Sequence, residues 1–156
     1  SNISMIHLSM FLKDFISNTD LNADIKENKQ ANKICVVHFR GGDFNDIGLV
    51  KNYAFYKKSM DRIKNYDQEV QFKVVTNDKA LFLKTFDKMD LKDIHLISGS
   101  MQDDFKEILS CDFFIGTFST FSVIAALASK KCTKIILNNK VKKIFRIDDS
   151  RVEIIK

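Results

Sequence analysis

Short runs rich in β-branched and aromatic residues alternate with segments of helical spacing along most of this chain. That rhythm narrows the fold more than any other feature of the sequence. Residues 33–38 (KICVVH), 70–76 (VQFKVVT), 94–97 (IHLI), 112–115 (DFFI) and 133–137 (TKIIL) read as strands. Residues 50–66, 79–88, 101–109 and 119–129 between them read as helices. Asn77 and Asp78 offer caps for the second of these. Ser100 offers one for the third, with Asp103 and Asp104 in its first turn. Such alternation implies an α/β fold: a Rossmann-like three-layer sandwich with about five parallel strands and helices on both faces. Sheets of that kind bind ligands beyond the C-terminal ends of their strands. The segments to inspect are therefore 38–43, 76–78, 97–100 and 116–122.

Before the first strand, residues 5–16 (MIHLSMFLKDFI) have the spacing of an amphipathic helix, and residues 18–32 are polar. The expected organisation is an N-terminal helix and linker over 1–32 and a Rossmann-like, ligand-binding domain over 33–156. The tail after Asn138 has no clear element.

The chain's 156 residues amount to one domain, with 45% hydrophobic and 29% charged residues, a globular composition. No apolar run approaches the ~20 residues that span a bilayer. The start lacks the pattern of a signal peptide, so a cytoplasmic location is expected. Cys35, Cys111 and Cys132 have no metal-like spacing and read as buried, reduced thiols.

The net charge of +5 is uneven. Residues 113–147 contain no Asp or Glu but carry Lys130, Lys131, Lys134, Lys140, Lys142, Lys143 and Arg146. Such a stretch favours a polyanionic partner or a peripheral contact with the inner-membrane surface; a plain solvated face is the alternative. No nucleic-acid motif accompanies it, so no nucleic-acid partner is expected.

Three strand-end motifs can carry chemistry. In HFRGGDF (residues 38–44), His38 and Arg40 are two apart and point to the same side. Arg40 can set a fork of donors against phosphate oxygens, and Gly41 and Gly42 allow close backbone approach. A surface arginine in a glycine turn is the alternative. In GTFSTFS (residues 116–122), Thr117, Ser119, Thr120 and Ser122 cluster where a helix begins with unpaired N–H groups. The run lacks the lysine of a P-loop, and simple capping is the alternative. In VVTND (residues 74–78), the Asp78 carboxylate can accept the N–H donors of a guanine edge or cap a helix. Asp43 and Asp46 are candidate bases, although Asp43 is better read as fixing its loop. Phe39 and Phe44 read as packing residues, and His7 and His95 as surface or structural ones.

The order HFRGGDF, VVTND, DFFIGTFSTFSVIAA resembles fucosyltransferases with a GT-B fold. These are the bacterial α1,2-fucosyltransferases of glycosyltransferase family 11, related to the α1,6- and protein O-fucosyltransferases. The bacterial enzymes typically read HIRRGDY and NSTFSWWAA, and the resemblance runs from about Lys33 to Leu137. It implies the C-terminal, donor-binding half of a GT-B fold, with GDP-fucose or a similar nucleotide sugar as donor and a glycan hydroxyl as acceptor. It also implies metal-independent transfer with no cofactor.

Residue by residue, the resemblance places Arg40 on the donor diphosphate as the catalytic arginine and His38 near the nucleotide. It places Gly41, Gly42 and Asp43 in the donor loop, Asp78 at guanine, and Thr117, Ser119, Thr120 and Ser122 at the β-phosphate. Gly41 stands where the family has a second Arg, and Val123 and Ile124 where it has tryptophans. Only residues 1–32 precede the first strand, so a missing N-terminal domain is expected to complete the enzyme. A non-catalytic nucleotide-binding module is the alternative, and an anionic-surface or nucleic-acid binder ranks below it.

Overall fold

The structure, a computed structural model, describes residues 32–41, 53–117, 119–139, 141 and 147–156. The expected helix over 5–16 lies outside them, as does nearly all of the expected linker, so the boundary at residue 32 is not addressed. The described chain runs β1 (Ile34–Phe39), α1 (Tyr53–Tyr66), β2 (Gln71–Thr76), α2 (Lys79–Thr85), β3 (Ile94–Ile97) and α3 (Met101–Leu109). It continues through β4 (Phe113–Gly116), α4 (Thr120–Ala128), β5 (Lys134–Asn138) and β6 (Val152–Ile155). All six strands are parallel, in the order β3-β2-β1-β4-β5-β6. The Rossmann-like α/β expectation holds, with β6 as a strand beyond the five read from the sequence.

Strand alternation sorts the core into two layers. Cys35, Val37 and Phe39 of β1, with Phe113 and Ile115 of β4, pack against α1 and α2 through Tyr56, Met60, Ile63 and Phe82. Val36, Phe114, Ile135 and Leu137 pack on the other side against α3 and α4, through Phe105, Ile108, Val123 and Ala126. Phe39 sits among Tyr56, Phe82 and Phe86, with ring centroids 5.5, 5.5 and 5.9 Å away, so it is a core residue. The three cysteines are buried free thiols. Among the described residues, no helix is long and apolar enough to cross a membrane.

The register at the centre of the sheet positions the site. β1 pairs with β2 as far as Phe39↔Thr76, but the β1–β4 pairing ends at Val37↔Ile115. The strand order reverses between these two strands, which therefore part at their C-terminal ends. A crevice opens there, at the switch point where sheets of this order take ligands.

The far end of α4 is held by Arg151. Its guanidinium donates to the carbonyls of Leu127 (2.8 Å), Ser129 (2.7 Å) and Cys132 (3.1 Å) and pairs with Asp149 at 2.6 Å. These carbonyls stand at the end of α4 and in the turn after it, where helical partners run out. Replacing Arg151 by Ala should lower the unfolding free energy by about 2–3 kcal/mol, read by urea denaturation. Lysine, with no planar fork, should recover only part of the loss.

Candidate functional site

His38 and Arg40 continue the two-residue repeat of Val36, which turns them towards the layer of α3 and α4. They line a cleft of about 250 Å³ with Asn77, Gly99, Met101, Asp104 and Phe121. The walls thus come from the ends of β1, β2 and β3 and from the first turns of α3 and α4.

His38 is only 7% exposed, and its Nδ1 is buried with no hydrogen-bond partner among the described residues. Burial, reinforced by the Arg40 charge, lowers its pKa from 6.5 to about 4. The imidazole is therefore neutral at ordinary pH and retains a ring nitrogen for a ligand.

A capping box separates the two acids at the start of α3. Asp103 accepts the Ser100 N–H at 3.1 Å, and Ser100 Oγ accepts the Asp103 N–H at 3.2 Å. Asp104 is left to face the cleft, its Oδ1 buried with no hydrogen-bond partner among the described residues. Burial raises its pKa, and the Asp103 and Glu107 charges add to the effect. Met101, 68% exposed, stands at the cleft mouth.

The four hydroxyls expected at phosphate are not equivalent. Ser122 is buried and donates to the Ser119 carbonyl at 3.2 Å. Ser119 is the N-cap of α4 and is buried, yet its side chain makes no capping bond. Thr120 is exposed. Thr117 is buried and continues the two-residue repeat of Phe113 and Ile115, which faces α1, on the side of the sheet opposite the cleft. Phe121, which follows Thr120, brings the start of α4 to the cleft and packs on Phe105 with ring centroids 5.3 Å apart.

Asp78 caps α2, its Oδ1 accepting the Leu81 N–H at 2.9 Å, and it is not part of the cleft lining. Gly41 is buried, donates its N–H to Asn77 Oδ1 at 3.0 Å and packs on the start of α2. A β-carbon there would lie 2.8 Å from Asp78 Cβ and 2.9 Å from Leu81 Cδ2. Contact with the body of Asp78 leaves no room for the arginine that the family motif has there. Gly42, Asp43, Phe44 and Asp46 lie outside the described residues.

The structure therefore gathers His38, Arg40 and the start of α4 at one crevice, as the sequence suggested, and adds Asn77, Met101, Asp104 and Phe121. The sequence signal for Asp104 was its place one residue after the capping partner, which turns it about 100° around the helix. Elsewhere, Lys130 and Lys131 of the basic stretch are exposed, His95 is exposed on β3, and Lys140, Lys142, Lys143 and Arg146 lie outside the described residues. A larger groove of about 570 Å³ runs along β6 beside α1 and contains none of the motif residues.

A parallel sheet with this strand order, and a polar crevice at its switch point beside a helix start, defines a Rossmann-like domain suited to a phosphate-bearing ligand. The family model described as Glycosyl transferase family 11 matches residues 4–153, and the chain belongs to that family. It is thus a glycosyltransferase domain of fucosyltransferase-like type. No curated protein and no solved structure matched the chain.

The depressed His38 pKa sets a pH dependence of stability. The unfolded chain takes up this proton near pH 6.5 and the folded one near 4, so protonation favours unfolding between the two. This contribution is full above pH 6.5, falls as the pH drops through the window and levels off below 4. The loss should total about 3 kcal/mol, and a His38→Gln variant should lack it. Urea titrations across the window measure both.

Proposed function

We propose that this domain binds a guanosine diphospho-sugar, GDP-fucose or a close analogue, and provides the donor half of transfer to a glycan hydroxyl. The observation that carries the reading is the convergence of Arg40, neutral His38 and the start of α4 at the switch-point crevice. The base and ribose occupy the cleft. The Asp104 carboxylate accepts from the two N–H groups of the guanine edge, which a uracil cannot supply in the same pattern. Asp78, tied to the cap of α2, is the second candidate for that role. The diphosphate lies towards Arg40 and the first turn of α4, where Ser119, Thr120 and the free backbone N–H groups meet it.

Charge on the leaving diphosphate grows as the sugar–oxygen bond breaks. Arg40 and the helix N-terminus stabilise that charge, and no metal is required for it. A cleft of about 250 Å³ is small for a whole nucleotide sugar. That supports a second domain closing over the site and carrying the acceptor, as in a GT-B arrangement with this domain as the C-terminal half. The protein then works on the cytoplasmic side, where nucleotide sugars are made, and exposed Lys130 and Lys131 leave room for contact with an anionic membrane surface.

One observation favours a second reading, a binding module without catalysis. The close packing of Gly41 against Asp78 and Leu81 excludes the second arginine of the family motif. Calorimetric titration and a transfer assay separate the two. GDP and GDP-fucose should bind and UDP should not, while Asp104→Asn should cost about tenfold in GDP affinity. Arg40→Ala should reduce transfer by about a hundredfold. Equal binding of UDP contradicts the guanine assignment, and binding without any transfer by the full enzyme favours the module.

A further inference from the structure

α3 carries an apolar stripe, Met101, Phe105 and Ile108, at the i, i+4, i+7 spacing of a helix that packs by one face. Phe105 and Ile108 are 4% and 0% exposed in the core layer, whereas Met101 is 68% exposed. The difference follows from where the helix begins. α3 starts beyond the C-terminal end of β3, so its first turn overhangs the strand ends. The stripe therefore runs out over the switch-point cleft, which Met101 lines. Tyr66 and Leu83 are also exposed, but neither borders this cleft. The Tyr66 hydroxyl donates to Glu153 at 3.0 Å, and Arg62 lies over its ring.

Asp104 stands one turn along from Met101, and both line the cleft. Residues three apart on a helix have β-carbons about 5–6 Å from each other. The first turn of α3 thus presents a polarisable apolar side chain beside a carboxylate oxygen with no hydrogen-bond partner among the described residues. Phe121 of α4 is the other apolar side chain of the lining, fixed by its packing on Phe105. A group that satisfies both the thioether and the carboxylate is flat, apolar on its faces and supplied with N–H donors along one edge. Guanine, with an amino group beside a ring N–H, has that form. A ribose or a phosphate does not.

We propose that Met101 is a base-binding residue, whose thioether covers one face of the guanine while Asp104 takes its edge. This rests on the nucleotide-sugar reading of the crevice and adds the apolar contact that holds the base. Covering Met101 removes apolar surface from water, which favours binding. An unbranched side chain at the cleft mouth can settle onto the ring without moving the helix.

The test uses calorimetry with GDP on the full chain, and proton–carbon resonances of labelled methionine methyl groups. Met101→Ala leaves the capping box of Ser100 and Asp103 intact and places a strong helix former at an exposed position, so the fold should survive, as thermal melting checks. It should cut GDP affinity about tenfold, and Met101→Leu, of similar volume, should restore most of it. Loss of one signal in Met101→Leu identifies the Met101 methyl among those of the chain's five methionines. Protons above the face of an aromatic ring are shielded, so GDP should move that methyl upfield. Unchanged GDP affinity in Met101→Ala, or a Met101 methyl unmoved at saturating GDP, would overturn the inference while the nucleotide reading stands. Failure of the unaltered chain to bind GDP would overturn the nucleotide reading, and this inference with it.

Discussion

Everything at the site depends on where β1 stops pairing with β4. A parallel ladder satisfies backbone groups on both sides of a central strand, and β1 is such a strand, buried on both faces. Its pairing with β2 continues to Phe39 while its pairing with β4 ends at Val37. The difference leaves the end of β1 attached to one neighbour and parted from the other. His38 and Arg40 project into the opening, and the chain leaving β4 turns into α4 on its far side. A sheet of the same composition with a longer β1–β4 ladder would close this opening and have no crevice.

The groups in the opening are costly to the fold. A buried imidazole nitrogen and a buried carboxylate oxygen, without partners among the described residues, both forgo hydrogen bonds that water would supply. Repulsion from Asp103 and Glu107 adds to the strain on Asp104. The rest of the domain offsets such costs through two continuous apolar layers, and Arg151 secures the end of α4 away from the crevice. Among the described residues, unsatisfied buried groups thus gather at the crevice, framed by well-packed apolar layers.

The strands and helices of the centre were legible in the sequence because buried parallel strands are nearly pure runs of β-branched and aromatic residues. KICVVH and DFFI need no further context. β6 escaped notice because Val152–Ile155 is short, includes Glu153 and follows a polar stretch, so its membership depends on pairing with β5 rather than on its own pattern. The meeting of Arg40 and the start of α4 at one crevice was legible from fold logic alone. The division of labour within each motif was not. Asp78 and Asp104 are both acids near helix starts, and only the packed structure shows one capping α2 and the other facing the cleft. Four hydroxyls in one turn look alike until the strand repeat sends Thr117 to the α1 side and Ser122 back to its own helix. Nothing local in the sequence marks Tyr56 as the hydroxyl that donates to the His38 carbonyl at the end of β1.

The most direct measurement is an amide nuclear magnetic resonance titration of the isotopically labelled chain with GDP. The account requires shifts at Arg40, Gly99, Asp104 and Phe121, with the groove of Arg62 and Glu153 beside β6 unmoved. Shifts centred on that groove, with the switch-point crevice silent, would contradict it.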